Sequence, residues 1–198
     1  PLLAPFPYDQ AYFDRARLFP FQHEEHPLGT DDLGRDYLSR LIFGARTSLT
    51  VALFVQVIAL LIGIPLGALG GYFGGRTDFV ITRIIDVMTA FPSLLFAILV
   101  SSVMSGGFIT VVVALSITSW IGIARLTRAQ MLSLREQEYV NAARALGASQ
   151  WRIISQHIMP NAVSPLIVAV TFGIPTTIFA EAGLSFLGLG AQIPTPSW

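Results

Sequence analysis

Histidine, glutamate and serine side chains at two places in this sequence are candidates for metal binding or catalysis. His23 and His26 flank two glutamates, but they lack the H-E-x-x-H spacing that puts two imidazoles one helical turn apart, and Pro27 disturbs a helix there. A solvated segment is therefore favoured over a metal site. Ser185 has no histidine within its apolar segment to act as a base, and the sequence contains no cysteine. The sequence accordingly predicts no catalytic residue, no metal and no cofactor bound by this chain.

Glu181 is the only acidic residue in the last 46 residues and lies in an apolar segment. Carboxylates inside a membrane are costly and are functional candidates by default. At a rise of about 1.5 Å per residue, Glu181 lies roughly 28 Å along a helix that starts at Ala162. The carboxylate would then lie near the outer edge of a membrane span, so a role in a gate or in structure is favoured over contact with a substrate.

The composition indicates which elements must hold these residues. Of the 198 residues, 53% are hydrophobic and only 12% are charged, whereas soluble domains have about 25% charged residues. Three stretches without any charge contain 29, 38 and 28 residues, namely Thr47–Gly75, Val87–Ala124 and Ile153–Ala180. Each exceeds the roughly 20 residues that cross a bilayer. The predicted fold class is therefore an all-α, polytopic membrane protein, and a net charge of zero argues against a nucleic-acid partner.

Charge and chain breakers divide the sequence into an external segment, residues 1–46, and a transmembrane domain, residues 47–198. Pro92 removes a backbone donor and should kink the second span near Ala90. The predicted spans cover about residues 48–69, 79–104, 108–124 and 162–187.

Glycines recur every four residues towards the end of the first span. Gly63 and Gly67 lie on one helix face, where the absence of a side chain would let another helix backbone approach closely. Paired glycines interrupt helices, so a turn before the second span is predicted for Gly70, Gly71, Gly74 and Gly75.

The external segment is too polar for the hydrocarbon core, with seven acidic residues against five arginines. Within it, Thr30 is a candidate N-cap for a helix that starts at Asp31. Leu33, Tyr37 and Leu41 follow at four-residue spacing, which is typical of an amphipathic helix. We therefore expect an interfacial helix that lies on the membrane surface.

Residues 125–160 form the longest polar stretch between spans and are predicted to be a cytoplasmic coupling segment. Residues 125–152 carry five arginines against two glutamates, and loops with an excess of arginine stay in the cytoplasm. By counting spans outward from this segment, we expect the acidic N-terminal segment to lie on the opposite side of the membrane.

Two short helices are predicted within the coupling segment. The first starts at Glu138 and should end at Gly147, which favours a left-handed turn. The second runs from Ser149 and should stop at Ile158, before Pro160. Together they would project from the membrane domain and seat in a groove of another protein through their small residues, Ala142 and Ala143.

The coupling segment resembles the cytoplasmic loop of a known family, the inner-membrane permease subunits of binding-protein-dependent ABC importers. The family pattern is E-A-A, three residues, G, nine residues and I-x-L-P. Here Asn141-Ala142-Ala143, Gly147 and Met159-Pro160 fall on that spacing. The sequence departs from the pattern where Asn141 replaces the glutamate, His157 the isoleucine and Met159 the leucine. Glu138 lies one helical turn before Asn141.

Two further stretches resemble the dipeptide, oligopeptide and nickel branch of this family. One runs from His26 to Arg40 and is followed by Phe43-Gly44-Ala45-Arg46, and the other runs from Glu181 to Gly190 and is followed by Pro194–Trp198. The resemblance thus covers about residues 27–198. The family's usual six helices imply one helix before Pro1 and one after Trp198, so the chain is interpreted as a fragment that lacks a helix at each end.

The resemblance implies the fold of a type I ABC importer transmembrane domain and the role of permease subunit in an ATP-driven importer. The implied partners are a homologous second permease, two cytoplasmic ATPase subunits that bind ATP and magnesium, and an external solute-binding protein, at a bacterial or archaeal plasma membrane. This chain has no G-x-x-x-x-G-K-[ST] loop, so it is not the ATP-binding subunit. The implied ATPase-coupling residues are Glu138, Asn141, Ala142, Ala143, Gly147 and Pro160.

Peptides are the favoured substrates, although the branch also includes nickel permeases. A chelated metal favours His or carboxylate ligands, and the predicted spans contain no histidine and no pair of acids. They offer hydroxyl side chains instead, including Ser101, Ser102, Ser116, Thr118, Ser119, Thr176 and Thr177. A secondary transporter or channel is a more remote alternative, because such proteins more often bring charges into the middle of their spans.

Overall fold

The structure is a computed structural model that describes residues 3–104, 106–191 and 194–198. Most of these residues are helical. Within these ranges the chain has no β-strand, only two isolated bridges between residues 23 and 36. The helices, in chain order, are α1 (Tyr37–Phe73), α2 (Gly75–Thr89), α3 (Ser93–Val103), α4 (Phe108–Leu134), α5 (Glu138–Ala145), α6 (Gln150–Arg152) and α7 (Met159–Phe186). A π-helical stretch, Ile153–Ile158, joins α6 to α7.

Three helical segments are long and apolar enough to cross a membrane: Tyr37–Phe73, Phe108–Leu134 and Gln150–Phe186. A fourth span forms if α2 and α3 cross the bilayer together, because the two helices are separated by a short break and bent by 75°. The break covers Ala90–Pro92, where the missing N–H of Pro92 was expected to interrupt the helix.

The start of α1 differs from the sequence prediction. The helix begins at Tyr37 rather than at Asp31, and it continues directly into the first span. Its N-cap is Asp36, whose carboxylate accepts a hydrogen bond of 2.7 Å from the Ser39 backbone N–H. The hydroxyl of Thr30 bonds instead to backbone groups of the N-terminal segment. The prediction of a separate interfacial helix is therefore wrong, because a later side chain caps the helix.

Glycines on one face of α1 allow it to pack closely against α4. A Cβ atom added at Gly63, Gly67 or Gly71 would lie 2.7, 2.4 or 2.5 Å from a carbonyl oxygen of α4. Such distances are too short for any side chain, so the two backbones touch along this stripe. Gly71 belongs to this helical stripe rather than to the predicted turn, which is confined to Gly74 and Gly75.

Three buried apolar clusters lie along the bundle where α1, α4 and α7 pack together. The first includes Val51, Val111 and Leu184, the second Ala59, Ile85 and Ile123, and the third Tyr72, Met131, Val140 and Ile158. The first cluster marks the Glu181 end of the bundle and the third marks the α5 end. Ala97 of α3 joins the first cluster and Ile81 of α2 the second, so the bent pair extends along the bundle as well.

Candidate functional site

The projection at the α5 end consists of residues 138–152. It contains α5, a glycine in the left-handed conformation and the capped helix α6. The α5 helix starts at Glu138, and Gly147 follows it with φ of +81°. The Ala148 backbone N–H donates to the carbonyl of Ala143 at 3.1 Å, which closes the end of the helix. Ser149 then caps α6, because its hydroxyl accepts from the Arg152 backbone N–H at 3.4 Å.

The two alanines of the predicted docking surface differ in burial. Ala142 is exposed, whereas Ala143 is only 9% exposed and packs with Val140 in the third cluster. Ala143 is therefore an internal packing residue and not an outward contact, contrary to the prediction. The helical period explains the difference, since Val140 and Ala143 lie three residues apart on the inner face.

The outer face of the projection is exposed and mixed in character. Glu138, Asn141, Ala142 and Gly147 are all exposed, and Leu146 is 89% exposed. The Asn141 side-chain oxygen accepts from the Arg144 guanidinium at 3.1 Å. Asn141 therefore presents a neutral amide, with an arginine beside it, at the position where the family pattern has a glutamate.

Pro160 does not end a helix, so this part of the prediction is wrong. It is the second residue of α7, and the π-helical stretch Ile153–Ile158 leads into it without a break. A proline ring inside a regular α-helix clashes with the carbonyl four residues earlier. The wider π turn just before Pro160 relieves this constraint, and the segment from Gln150 continues into the last span.

Two arginines of the α4 region connect the helices at the α5 end. The Arg128 guanidinium donates both Nε and Nη2 to the two carboxylate oxygens of Asp78, the Nη2 contact at 2.6 Å. Arg135 donates to the carbonyls of Gly71 and Tyr72 at 2.9 and 3.2 Å, and these carbonyls would otherwise lack partners at the C-terminus of α1. These contacts join α2 and α1 to α4 and fix the base on which α5 sits.

A different kind of contact holds the opposite end, where Glu181 is 1% exposed. One carboxylate oxygen accepts from the Ser48 hydroxyl of α1 at 2.9 Å, and the other accepts from Ser185 at 2.7 Å. The Ser48 hydroxyl also accepts from the backbone N–H of Trp198 at 3.0 Å. The indole N–H of Trp198 donates to the carbonyl of Leu41 at 2.9 Å. Glu181 thus links α7, α1 and the C-terminal segment.

Small residues make room for this cluster. A Cβ atom at Gly190 would lie 2.0 Å from the Ser185 hydroxyl, and one at Gly44 would lie 3.1 Å from the Trp198 ring. Sequence reasoning noted both stretches only through their resemblance to a family. It missed the contact of Ser48 with Glu181, 133 positions away, and that of Trp198 with Ser48, 150 positions away, because such separations give no periodic signal.

The N-terminal segment buries one of the two histidines that were interpreted as solvated. His26 is fully buried, and its Nδ1 lies 3.1 Å from an oxygen of Asp36, the N-cap of α1. Within residues 3–104, 106–191 and 194–198, no group of three or more His, Cys, Asp or Glu side chains is placed to hold a metal ion. His26 is therefore part of the cap of α1, which corrects the prediction of a solvated side chain.

Asp31 organises the loop before this cap. Its carboxylate accepts from the backbone N–H groups of Leu33 and Arg35, both at 2.9 Å, and from the Arg35 guanidinium at 2.7 Å. Burial by itself would raise the pKa of Asp31, but the hydrogen bonds from Arg35 and Leu33 together outweigh it, so the pKa is lowered. The ionised carboxylate is the form that the folded loop requires.

A comparison with protein families assigns this bundle. Residues 63–198 match a family described as "Binding-protein-dependent transport system inner membrane component". The chain belongs to this family. The resemblance drawn from the coupling segment and the two flanking stretches is thereby confirmed.

Curated relatives from several bacteria are similar over most of this chain. The oligopeptide transport system permease protein OppC of Bacillus subtilis is 46% identical, with 88% of this chain and 57% of the relative covered. The glutathione transport system permease protein GsiD of Pectobacterium atrosepticum is 45% identical, with coverage of 97% and 64%. The dipeptide transport system permease protein DppC of Bacillus subtilis is 45% identical, with coverage of 88% and 54%. The chain thus spans between 54% and 64% of these relatives' lengths.

Among solved structures, the chain resembles an inward-facing conformation of the MetNI methionine ABC transporter. The TM-score is 0.69 with 20% sequence identity, and the match covers 78% of this chain and 77% of the other. At this identity the likeness defines the fold alone. The predicted fold class, an all-α transmembrane domain of the type I importer kind, is confirmed.

Proposed function

We propose that this chain is part of a permease subunit of an ATP-driven importer of peptides. The observation that carries the proposal is the exposed α5 projection, which follows the family's coupling pattern and stands at one end of a bundle of apolar helices. Its proposed partners are a homologous second permease, an external solute-binding protein and two cytoplasmic ATPase subunits that bind ATP and magnesium. The assembly would lie in a bacterial or archaeal plasma membrane.

The two faces of α5 suit it to transmit a movement. Its outer face presents Ala142 and Leu146 to a partner, while Val140 and Ala143 pack inward against Ile153. That inner cluster also contains residues of α1 and α4. Because closely packed side chains transmit displacement, a partner that moves α5 would move the ends of α1 and α4 together.

Peptides are proposed as the substrates on two grounds. Similar permeases are named for oligopeptide, dipeptide and glutathione transport. The apolar spans also carry hydroxyl side chains, which hydrogen-bond to amides without requiring a charged partner. A permease for nickel or another small solute is the alternative that the substrate assay must exclude.

The coupling proposal is tested by enlarging the exposed alanine of α5. In the full-length chain, assembled with its partners in proteoliposomes, Ala142→Trp should lower transport-coupled ATP hydrolysis at least about tenfold, because the indole would hold the partner off the projection. Ala129→Trp is the matched control, since Ala129 is an exposed alanine of α4 outside the projection. Normal coupling in Ala142→Trp, or an equal loss in Ala129→Trp, would refute the coupling role.

The same proteoliposomes test the substrate. Di- to pentapeptides should be imported in the presence of the binding protein and ATP, and they should compete with one another. Nickel uptake that no peptide inhibits, without any peptide import, would assign the transporter to nickel instead.

A further inference from the structure

A small cavity with hydroxyl side chains from three helices lies beside the break between α2 and α3. Its volume is about 210 Å³. The hydroxyls come from α3, α4 and α7, and they belong to Ser93, Thr118, Ser119, Thr176 and Thr177. The remaining lining residues are apolar, namely Val55, Leu94, Leu115 and Ala180, so the cavity is polar but uncharged.

Most of these hydroxyls are oriented by the helices that carry them. Thr176 donates to the carbonyl of Phe172 at 2.8 Å, and Ser119 donates to the carbonyl of Ser116 at 3.2 Å. A hydroxyl whose proton is used in this way still has lone pairs that accept hydrogen bonds. These side chains therefore present acceptors to the cavity.

Thr177 is fixed more firmly than its neighbours. Its hydroxyl donates to the Gly173 carbonyl at 2.8 Å and accepts from the Gln56 amide of α1 at 3.0 Å. A Cβ atom at Gly173 would lie 2.5 Å from the Gln56 side chain, so the glycine is needed for this contact. The wall of the cavity is thus a built arrangement that involves α1 as well as α7.

The remaining two hydroxyls complete the set of hydrogen-bonding groups. In the part of the chain that the structure describes, Ser93 and Thr118 form no side-chain hydrogen bond within the protein, so each can both donate and accept. A ligand that fits this set carries an N–H and a C=O close together and has no charge at that point. The amide group of a peptide has this chemistry.

The backbone next to the cavity is irregular, which bears on whether this side of the bundle can face lipid. Residues 90–92 interrupt the helix and are exposed in this chain. Irregular backbone at membrane depth is tolerated where it is covered by protein or lines a water-filled cavity, because lipid cannot satisfy its polar groups. If α2 and α3 cross the bilayer as one span, the break and the cavity beside it therefore need cover from protein or water rather than from lipid.

We propose that this hydroxyl cavity binds one backbone amide of the transported peptide during its passage, an inference that rests on the proposed function. Its volume is below the roughly 300 Å³ at which small-molecule pockets begin, so it holds one peptide unit rather than a whole substrate. The absence of charge among the lining residues means that it contacts the backbone and is indifferent to the charge of the peptide's side chains.

The test removes hydroxyls without changing side-chain shape. The full-length Thr118→Val/Thr176→Val double variant is assembled with its partners in proteoliposomes, and import is measured for a dipeptide and for the same dipeptide with its amide nitrogen methylated. The ratio of the two import rates should fall about three- to tenfold relative to the unmodified transporter, as expected for loss of a hydrogen bond to the amide. The preference of the binding protein is the same in both transporters and cancels.

Thr171→Val is the matched control. Thr171 is also an exposed threonine of α7 that donates to the carbonyl four residues earlier, at 2.9 Å, but it lies outside the cavity. Copurified ATPase subunits report assembly, and Ser93→Ala provides a second variant should the double variant fail to assemble. An import ratio that is unchanged in the cavity variants, or changed equally by Thr171→Val, would overturn the inference. An assembled, unmodified transporter that imports no peptide would instead refute the proposed function.

Discussion

Different interactions stabilise the α5 end and the Glu181 end of the bundle: a partly exposed ion pair at the first and buried hydrogen bonds at the second. At the α5 end, Asp78 and Arg128 are 21% and 33% exposed, so water and salt reach their ion pair. At the Glu181 end, a carboxylate that is 1% exposed depends on hydroxyl donors from Ser48 and Ser185. Solvated charges can separate and re-form at little cost, whereas buried groups lose their partners outright. The α5 end is therefore suited to movement and the Glu181 end to a fixed join.

Removal of the carboxylate at the fixed end should have the largest effect. Glu181→Ala would leave the hydroxyls of Ser48 and Ser185 without their acceptor and open a small void beside α1. We expect a loss of about 3 kcal/mol in the free energy of unfolding, because two hydroxyls lose their buried acceptor and a void is left behind. The measurement is thermal unfolding of the detergent-solubilised complex.

Two comparisons sharpen this prediction. Glu181→Gln keeps an acceptor oxygen and should lose less stability than Glu181→Ala. Glu138→Ala removes an exposed carboxylate at the other end and should change stability by less than about 0.5 kcal/mol. If Glu181→Ala were as stable as the unmodified protein, the hydrogen bonds of Glu181 would not stabilise the contact between α7 and α1.

The glycine stripe between the two ends should give the next largest effect. A Cβ atom at Gly67 would lie 2.4 Å from the carbonyl oxygen of Ala124, so Gly67→Ala should force α1 away from α4. The expected loss is about 2 kcal/mol, as for other overpacked interiors. Gly122→Ala is the control, because a Cβ atom there meets nothing within 4 Å. That control should be neutral or more stable by about 0.5 kcal/mol, since alanine favours helices. Equal thermal stabilities for the two variants would contradict close packing at Gly67.

The ion pair at the α5 end should contribute less, and its contribution should depend on salt. A double-mutant cycle with Asp78→Asn and Arg128→Gln should give a coupling energy of about 1 kcal/mol, reduced for the partial exposure of both side chains. High salt should lower this coupling but leave the effect of Glu181→Ala unchanged. A coupling that salt does not alter would mean that the pair is sheltered, and the contrast between the two ends would be lost.

Sequence patterns predict the parts of this fold that depend on neighbouring residues. Apolar length, the break at Pro92 and the left-handed Gly147 are each governed by a few adjacent residues. The orientation of Ala143 and the partners of Glu181 depend on which distant helices pack there. Two candidate N-caps compete at the start of α1, and tertiary contacts decide between them. Aspartate ranks only slightly above threonine as an N-cap residue, so residue type alone does not decide between Asp36 and Thr30.

Acidification of the loop before α1 should give the smallest effect. The pKa of Asp31 is lowered in the folded state, so its stabilising contribution is present at pH values above the unfolded pKa of about 4. The contribution is lost as the pH falls through the lower folded pKa, because protonation removes an acceptor from Arg35 and Leu33. Asp31→Asn should therefore cost about 0.5 kcal/mol at pH 6, a small value because burial of the carboxylate offsets part of its hydrogen bonding. This difference from the unmodified protein, followed by thermal unfolding, should shrink as the pH falls below about 4. A difference that stays constant between pH 6 and pH 3 would show that the charge of Asp31 does not stabilise the loop, and that only its shape matters there.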